Sequence, residues 1–577
     1  MEFPWQARAP RAHRLVLTTV AAAALCASAA APAYAHDGYQ QDSQHGSFGQ
    51  GGTHDLFQPG NLLLSRSVYK PDNDLIAGIT QLAPGCTFEC FTANASGNYP
   101  EVFDNDAVDP DFGVTSPIFL DQITPWGHAV DSIEVPNSSE HGISSTDDQM
   151  VTSFSSKSEL ALNLSTGDRY VTFMGYLSPV DTLDASNGNT PGVVDSTNPD
   201  PVAAPRVVAQ LDSQGQFHFT ESNAYSGNNG RAAILNEEEG NDLIYAAGNA
   251  GNGSKPIDEG VITGGGAQLL TPSPLPESKQ TPGAPDPLGS FNITQLGDKP
   301  DKPSKDNNYR GLTIANNVVY YTKGSGSNGV DTVYFVDTTG TACPTGGIGL
   351  PQPGAKLPTS GITPIAEDLK AKKEELKPNN MCILKGFPDE PKSEAWHPFG
   401  IWFAGADTAY VADEGNGEDE YSTTTGEYTK AAEQPTAGLQ KWVFDSSAGE
   451  WKLDYTLQSG LSLGKPYTVH GYPSGENPVT KLPWSPATDG LRNITGRVNR
   501  NGTATIWAVT STVSGDGDEG ADPNKLVAIT DPLSASAPAP WERFHALRTA
   551  GFGEVLRGVS FTPGTNLDGG FGGPWGH

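Results

Sequence analysis

Arg310-Gly-Leu-Thr-Ile-Ala-Asn316, Val319-Tyr-Tyr-Thr-Lys-Gly324 and Val333-Tyr-Phe-Val-Asp337 follow one another as three short apolar runs separated by turn residues. Each is rich in β-branched and aromatic residues, which fit a pleated, half-buried surface. The same three-part unit recurs along the chain. Third runs ending in Asp stand at Val207–Asp212, Lys441–Asp445 and Leu526–Asp531, with a shorter copy at Ile118–Asp121. An Asp at that point suits an Asx-type turn into a following strand, and Gln216–Phe219 and Trp451–Tyr455 supply such strands. Second runs carry a central aromatic, Tyr245, Tyr320, Tyr410 or Trp507. First runs open on Arg231, Arg310-Gly311, Arg492 or Arg557-Gly558; Phe399-Gly400 takes the slot in another copy, with His397 just ahead, and Ser158–Ser165 lacks the Arg.

First runs near 158, 231, 310, 399, 492 and 557 make six copies, and the last lies close to the C-terminus with no partners after it. Unmatched strands at Asn61–Tyr69, Ile118–Ile123 and Ala129–Val135 are available to complete its sheet. Sharing one blade between the two ends closes a β-propeller and leaves no open edge. The fold class expected is therefore all-β, a six-bladed β-propeller over residues 60–563, or seven-bladed if the weak N-terminal copy hides a blade. Helical periodicity is confined to Ile365–Leu376.

Composition limits the partners. With 35 Lys+Arg against 67 Asp+Glu the formal charge is −32, the wrong sign for binding nucleic acid through its phosphates. Residues 1–35 read as a signal peptide: Arg8, Arg11 and Arg14, an apolar stretch from Leu15 to Ala31, and Ala33-Tyr34-Ala35 as a cleavage signal. Its removal takes three Arg and one Glu and leaves a charge of −34. No second long apolar run follows, so the expectation is a monomer that is secreted or periplasmic, without membrane insertion, with flexible segments at 36–59 and 564–577. Of the remaining cysteines, Cys86 pairs most simply with Cys90 and Cys343 with Cys382. Pro272–Pro287, with six prolines in sixteen residues, reads as an extended loop.

The YVADEG run (Tyr410–Gly415), the Asp-terminated third runs and the Arg-Gly starts resemble secreted propellers of the NHL and gluconolactonase-like type. That resemblance implies blades and a ligand face around the central channel, where the first strands begin. It does not imply one chemistry, because the fold hosts hydrolases, lyases and binding modules. Arg231, Arg310, Arg492 and Arg557 would stand together on that face, as an anion-binding cluster or as clamps onto neighbouring blades. Carboxylates leaving the second strands, Asp413 and Glu414 in one copy and Asp516, Asp518 and Asp522 in another, form a candidate Ca²⁺ site or a solvated acidic loop. Two functions follow. One is a binding module or scaffold for an anionic small molecule or glycan. The other is a metal-assisted hydrolase or lyase acting on a sugar acid or phosphoester, with His397 as acid/base.

Overall fold

The structure is a computed structural model. It describes residues 56–69, 115–137, 150–154, 156–180, 204–222, 224–225, 227–237, 242–250, 266–272, 289–291, 307–324, 330–343, 347–361, 381–390, 396–472, 474–477, 480–515 and 520–567, with the backbone of a few short strands elsewhere. Residues 1–35, Cys86 and Cys90, the run Ile365–Leu376, Asp516 and Asp518 lie outside the described residues. No helix among the described residues is long and apolar enough to cross a membrane.

Strands dominate, in a propeller-like arrangement of sheets that are antiparallel except where Ile348–Gly349 runs parallel to Met381–Leu384. Sheet A runs Asn163–Leu164, Tyr170–Tyr176, Arg206–Asp212 and Phe217–Ser222. Sheet C runs Pro398–Phe403, Thr408–Asp413, Gly438–Asp445 and Glu450–Leu457. Sheet D runs Ala487–Val498, Thr503–Val513, Lys525–Pro532 and His545–Thr549. Sheet B, between A and C, has nine strands. Its first half comprises Gly230–Asn236, Leu243–Ala250, Ala267–Leu270 and Gly289–Phe291. Its second half holds Asn307–Ala315, Val318–Lys323, Thr332–Val336, Met381–Leu384 and Ile348–Gly349, and Asn249–Asn308 and Ala250–Asn307 are the pairs that join the halves. In the second half the hairpin Asn316-Asn317 has both residues at positive φ (51° and 60°), the two-residue turn that matches strand twist.

The closing sheet joins both ends of the chain, as the unmatched N-terminal strands suggested. Leu62–Val68 pairs on one side with Glu554–Phe561 and on the other with Ile118–Ile123, whose outer neighbour is Ala129–Glu134. Phe57 is buried and the Gly60 N–H donates to Thr565 Oγ1 at 2.8 Å, so the packed chain extends a little beyond 60–563 at each end.

The core is a series of apolar layers between neighbouring sheets. Leu63, Leu120, Phe173 and Leu211 fill the layer between the closing sheet and sheet A. Tyr410, Leu457, Ile506 and Ile529 fill that between C and D. The central aromatics of the second strands, Tyr245, Tyr320, Tyr410 and Trp507, are all buried in such layers. The Arg-Gly starts have a steric reason. A Cβ on Gly311 would lie 2.6 Å from the Phe399 carbonyl oxygen, one on Gly400 2.6 Å from that of Arg492, and one on Gly558 2.3 Å from that of Leu160. Glycine is needed where one first strand meets the backbone of the next.

Candidate functional site

The four arginines lie within the first strands and not at their starts, Arg231 second in Gly230–Asn236, Arg310 and Arg557 fourth in theirs and Arg492 sixth in Ala487–Val498, and each is buried, at 3–4% exposure. The enclosed guanidinium groups turn to neighbouring strands for their acceptors. Arg231 donates to Asn229 Oδ1 at 3.0 Å and reaches Asn308 and the Tyr309 carbonyl in the next first strand. Arg557 donates to Ser67 Oγ at 3.0 Å, to the Ser156 carbonyl at 2.7 Å and to the Phe154 carbonyl.

Arg310 and Arg492 share one acceptor. Glu414 lies between them, with Arg310 Nη2 3.4 Å from Oε1 and Arg492 Nε 3.2 Å from Oε2. Burial alone would raise this carboxyl, but the charges of Arg310, Lys157, Arg492 and His397 outweigh it and hold the group down at about 2. Lys157 was missed in the sequence because it precedes Ser158–Ser165, a first run without an Arg. The anion at the centre of this cluster is thus the protein's own carboxylate.

His397 and Asp413 flank it. The His397 backbone N–H donates to Asp413 Oδ2 at 3.2 Å, its carbonyl accepts the Glu414 N–H at 3.0 Å, and its ring Nδ1 lies 3.3 Å from the Gly324 carbonyl oxygen. Asp413 is fully buried and also accepts the Gly415 N–H at 2.9 Å; burial pushes its carboxyl up despite these bonds. Gly415, at φ +85°, turns the acidic loop so tightly that a Cβ would sit 2.2 Å from Asp489 Oδ2. Asp489, not singled out in the sequence, accepts the Gly417 N–H at 2.9 Å and Gln434 Nε2 at 2.5 Å. Asp413 and Glu414 therefore fold inward onto donors, while Glu418, Asp419 and Glu420 farther along the loop are exposed.

Asp522 is fully buried beneath aromatic side chains and accepts the Tyr472 hydroxyl at 2.9 Å. Asp413, Glu414 and Asp522 do not converge into a set of oxygen ligands among the described residues. The one His/Cys/Asp/Glu grouping there with metal-like spacing is Asp337, Cys343 and Cys382. Those cysteines form the expected disulfide, and Asp337 accepts the backbone N–H groups of Thr339, Gly340 and Ala342.

A cavity among the first strands is lined by small residues such as Ala161, Ala232, Gly311 and Gly400 and by the larger Phe399 and Ile494. Its empty volume is about 250 Å³, open solvent included. Compared with models of known protein families and with curated proteins, the sequence matches none. The likeness to NHL and gluconolactonase-like propellers accordingly stays at the level of architecture.

Proposed function

We propose that the chain is an exported six-bladed β-propeller that works as a binding or scaffold module. Six blades follow if the nine-stranded sheet counts as two. Its halves share only the pairs Asn249–Asn308 and Ala250–Asn307. They also face one another across an apolar layer in which Tyr245, Leu269 and Phe291 oppose Tyr309, Tyr321 and Tyr334, as separate blades do. The first strands then form a ring in which each packs on the next, and Glu554–Phe561 meets Asn163–Leu164 to close it. Export rests on the targeting segment, and the Cys343–Cys382 disulfide is consistent with an oxidising compartment.

The observation that carries the functional reading is Glu414 between Arg310 and Arg492. An anionic ligand on the axis would have to displace a buried carboxylate from two guanidinium groups. The arginines act as clamps between blades, and the surface left for partners is on the outer loops and hairpins. A thermal-shift series with phosphate, sulfate and galacturonate tests this. The wild-type protein should show no anion-dependent rise in Tm, whereas Glu414→Ala should gain one as an external anion fills the vacated position. A rise in the wild-type protein that Arg310→Gln or Arg492→Gln abolishes would instead establish an axial anion site.

A further inference from the structure

The acidic total of this chain hides a basic strip. From Asn493 to Gly553, every described charged side chain that reaches solvent is cationic: Arg497, Arg500, Lys525, Arg543 and Arg548, with His545 exposed beside them. The described acids of the same stretch, Asp522, Asp531 and Glu542, are buried, and Asp516, Asp518 and Glu519 lie outside the described residues. On the neighbouring outer strand of the closing sheet, Asp131 is exposed and Glu134 accepts the Asn137 amide.

Two tryptophans stand out at the same edge. Trp126 is 75% exposed and Trp541 61%, the largest exposures among the big apolar side chains described. They occupy equivalent places, the turns between third and fourth strands of the closing sheet and of sheet D. Neither turn is loose. Around Trp126 the Thr124 N–H donates to the His128 carbonyl and the Gly127 N–H to the Thr124 carbonyl, both at 2.8 Å. Trp507 Nε1 donates to the Pro125 carbonyl at 2.9 Å, and Gly127 is pressed against Leu547. Trp541 follows Pro540, and the next residue, Glu542, accepts the Ala539 N–H at 2.8 Å. The basic groups adjoin these turns: the Arg497 guanidinium lies 5.8 Å from the Trp507 ring centre, and Arg548 Nη1 is 2.7 Å from Asp121 of the closing sheet.

We propose that this strip, Trp126, Arg497, Arg500, Trp541, Arg543 and His545, is a docking surface for an acidic polysaccharide. The inference rests on the binding-module reading and moves its ligand from the axis to the rim. Rigid, exposed indoles offer flat faces to sugar rings with little ordering cost. Guanidinium forks suit the carboxylates such a chain repeats. A polymer strand can follow a narrow basic strip, whereas an anionic bilayer would present a charged plane to a protein of charge −32.

Affinity electrophoresis of the full chain through gels containing polygalacturonate, or neutral dextran as control, tests the assignment. Retardation by polygalacturonate alone, weakening with salt, is expected. Trp126→Ala/Trp541→Ala and Arg497→Glu/Arg500→Glu should each weaken it about thirtyfold, with Tm unchanged. Retardation that both variants keep overturns the strip and leaves the binding-module reading standing. No retardation by polygalacturonate overturns the strip and leaves the binding-module reading to the anion thermal-shift series. Binding to vesicles of phosphatidylcholine and phosphatidylglycerol without binding to polygalacturonate overturns the strip in favour of a membrane surface.

Discussion

Lys441 and Asp531, on the third strands of sheets C and D, meet at 3.1 Å with neither side chain exposed. Asp531 also accepts the hydroxyls of Tyr410 and Tyr455, and Lys441 Nζ donates to Tyr455 at 2.9 Å and to the Pro532 carbonyl at 2.8 Å. The contact ties two sheets together where a turn-capping Asp was expected. Removing one partner strands the other's charge in an apolar layer. Lys441→Met should lower stability by about 3–5 kcal/mol in urea titration. Together with Asp531→Asn, a double-mutant cycle should show a coupling of about 1–3 kcal/mol.

The glycines of the first strands give a contrast within one residue type. Gly558→Ala and Gly400→Ala each force a methyl group against a neighbouring backbone carbonyl, at 2.3 and 2.6 Å, and the strand cannot retreat without opening the ring. Each should cost about 1–3 kcal/mol. Gly405, whose added Cβ would find nothing nearer than Asp407 Oδ1 at 3.8 Å, should accept Ala within about 0.5 kcal/mol. Denaturation midpoints of the three variants, compared at equal m-value, separate the two classes.

The repeat made the strands legible because a blade strand carries its burial in a short apolar word, and the word recurs. Third strands at Arg206–Asp212, Gly438–Asp445 and Lys525–Pro532 lie where the Asp-terminated runs placed them. What those Asp residues do divides by partner. Asp212, Asp337 and Asp445 accept nearby backbone N–H groups and make the expected turns. Asp121 and Asp531 turn sideways to Arg66 and Lys441, since a long cation stands within reach on another strand. The arginine positions were equally plain, but their acceptors were not. Glu414 sits 78 residues from Arg492, and only the folded ring makes them neighbours. The rim strip was hidden for a related reason: Asp522, Asp531 and Glu542 balance its cations in the sequence, and only the fold buries them.

The Cys343–Cys382 disulfide joins the turn after Thr332–Val336 to the strand Met381–Leu384, with the two Cα atoms 5.5 Å apart. It spans a sequence separation of 39, and in the loop-entropy account a bridge of that span contributes about 4 kcal/mol. Cys343→Ser/Cys382→Ser should therefore unfold at lower denaturant by an amount equivalent to about 2–4 kcal/mol. Reductant should move the wild-type midpoint by that amount more than it moves the variant's, whose remaining shift is the share of the short Cys86–Cys90 loop. A midpoint insensitive to reductant would show that the bridge does not restrain the unfolded chain.

Closure of the ring should be sensitive to acid. Asp121 receives Arg66 Nε at 2.9 Å and Arg548 Nη1 at 2.7 Å, and Arg66 Nη1 also reaches Glu554 at 2.7 Å. Burial would raise the Asp121 carboxyl, but hydrogen bonding and charge from Arg66, with the charge of Arg548, outweigh it and hold the group below its ordinary 3.8. The unfolded chain thus takes up this proton first as the pH falls. The stabilisation is complete above pH 3.8 and drains away below it as the folded carboxyl protonates. Asp121→Asn should cost about 2–3 kcal/mol at neutral pH, less than a fully enclosed pair because Arg548 is 26% exposed. The difference between wild type and variant, followed by urea titration, should narrow as pH drops below 4. If instead it stays constant through the acid range, Asp121 is not the carboxylate that holds the two ends of the chain together.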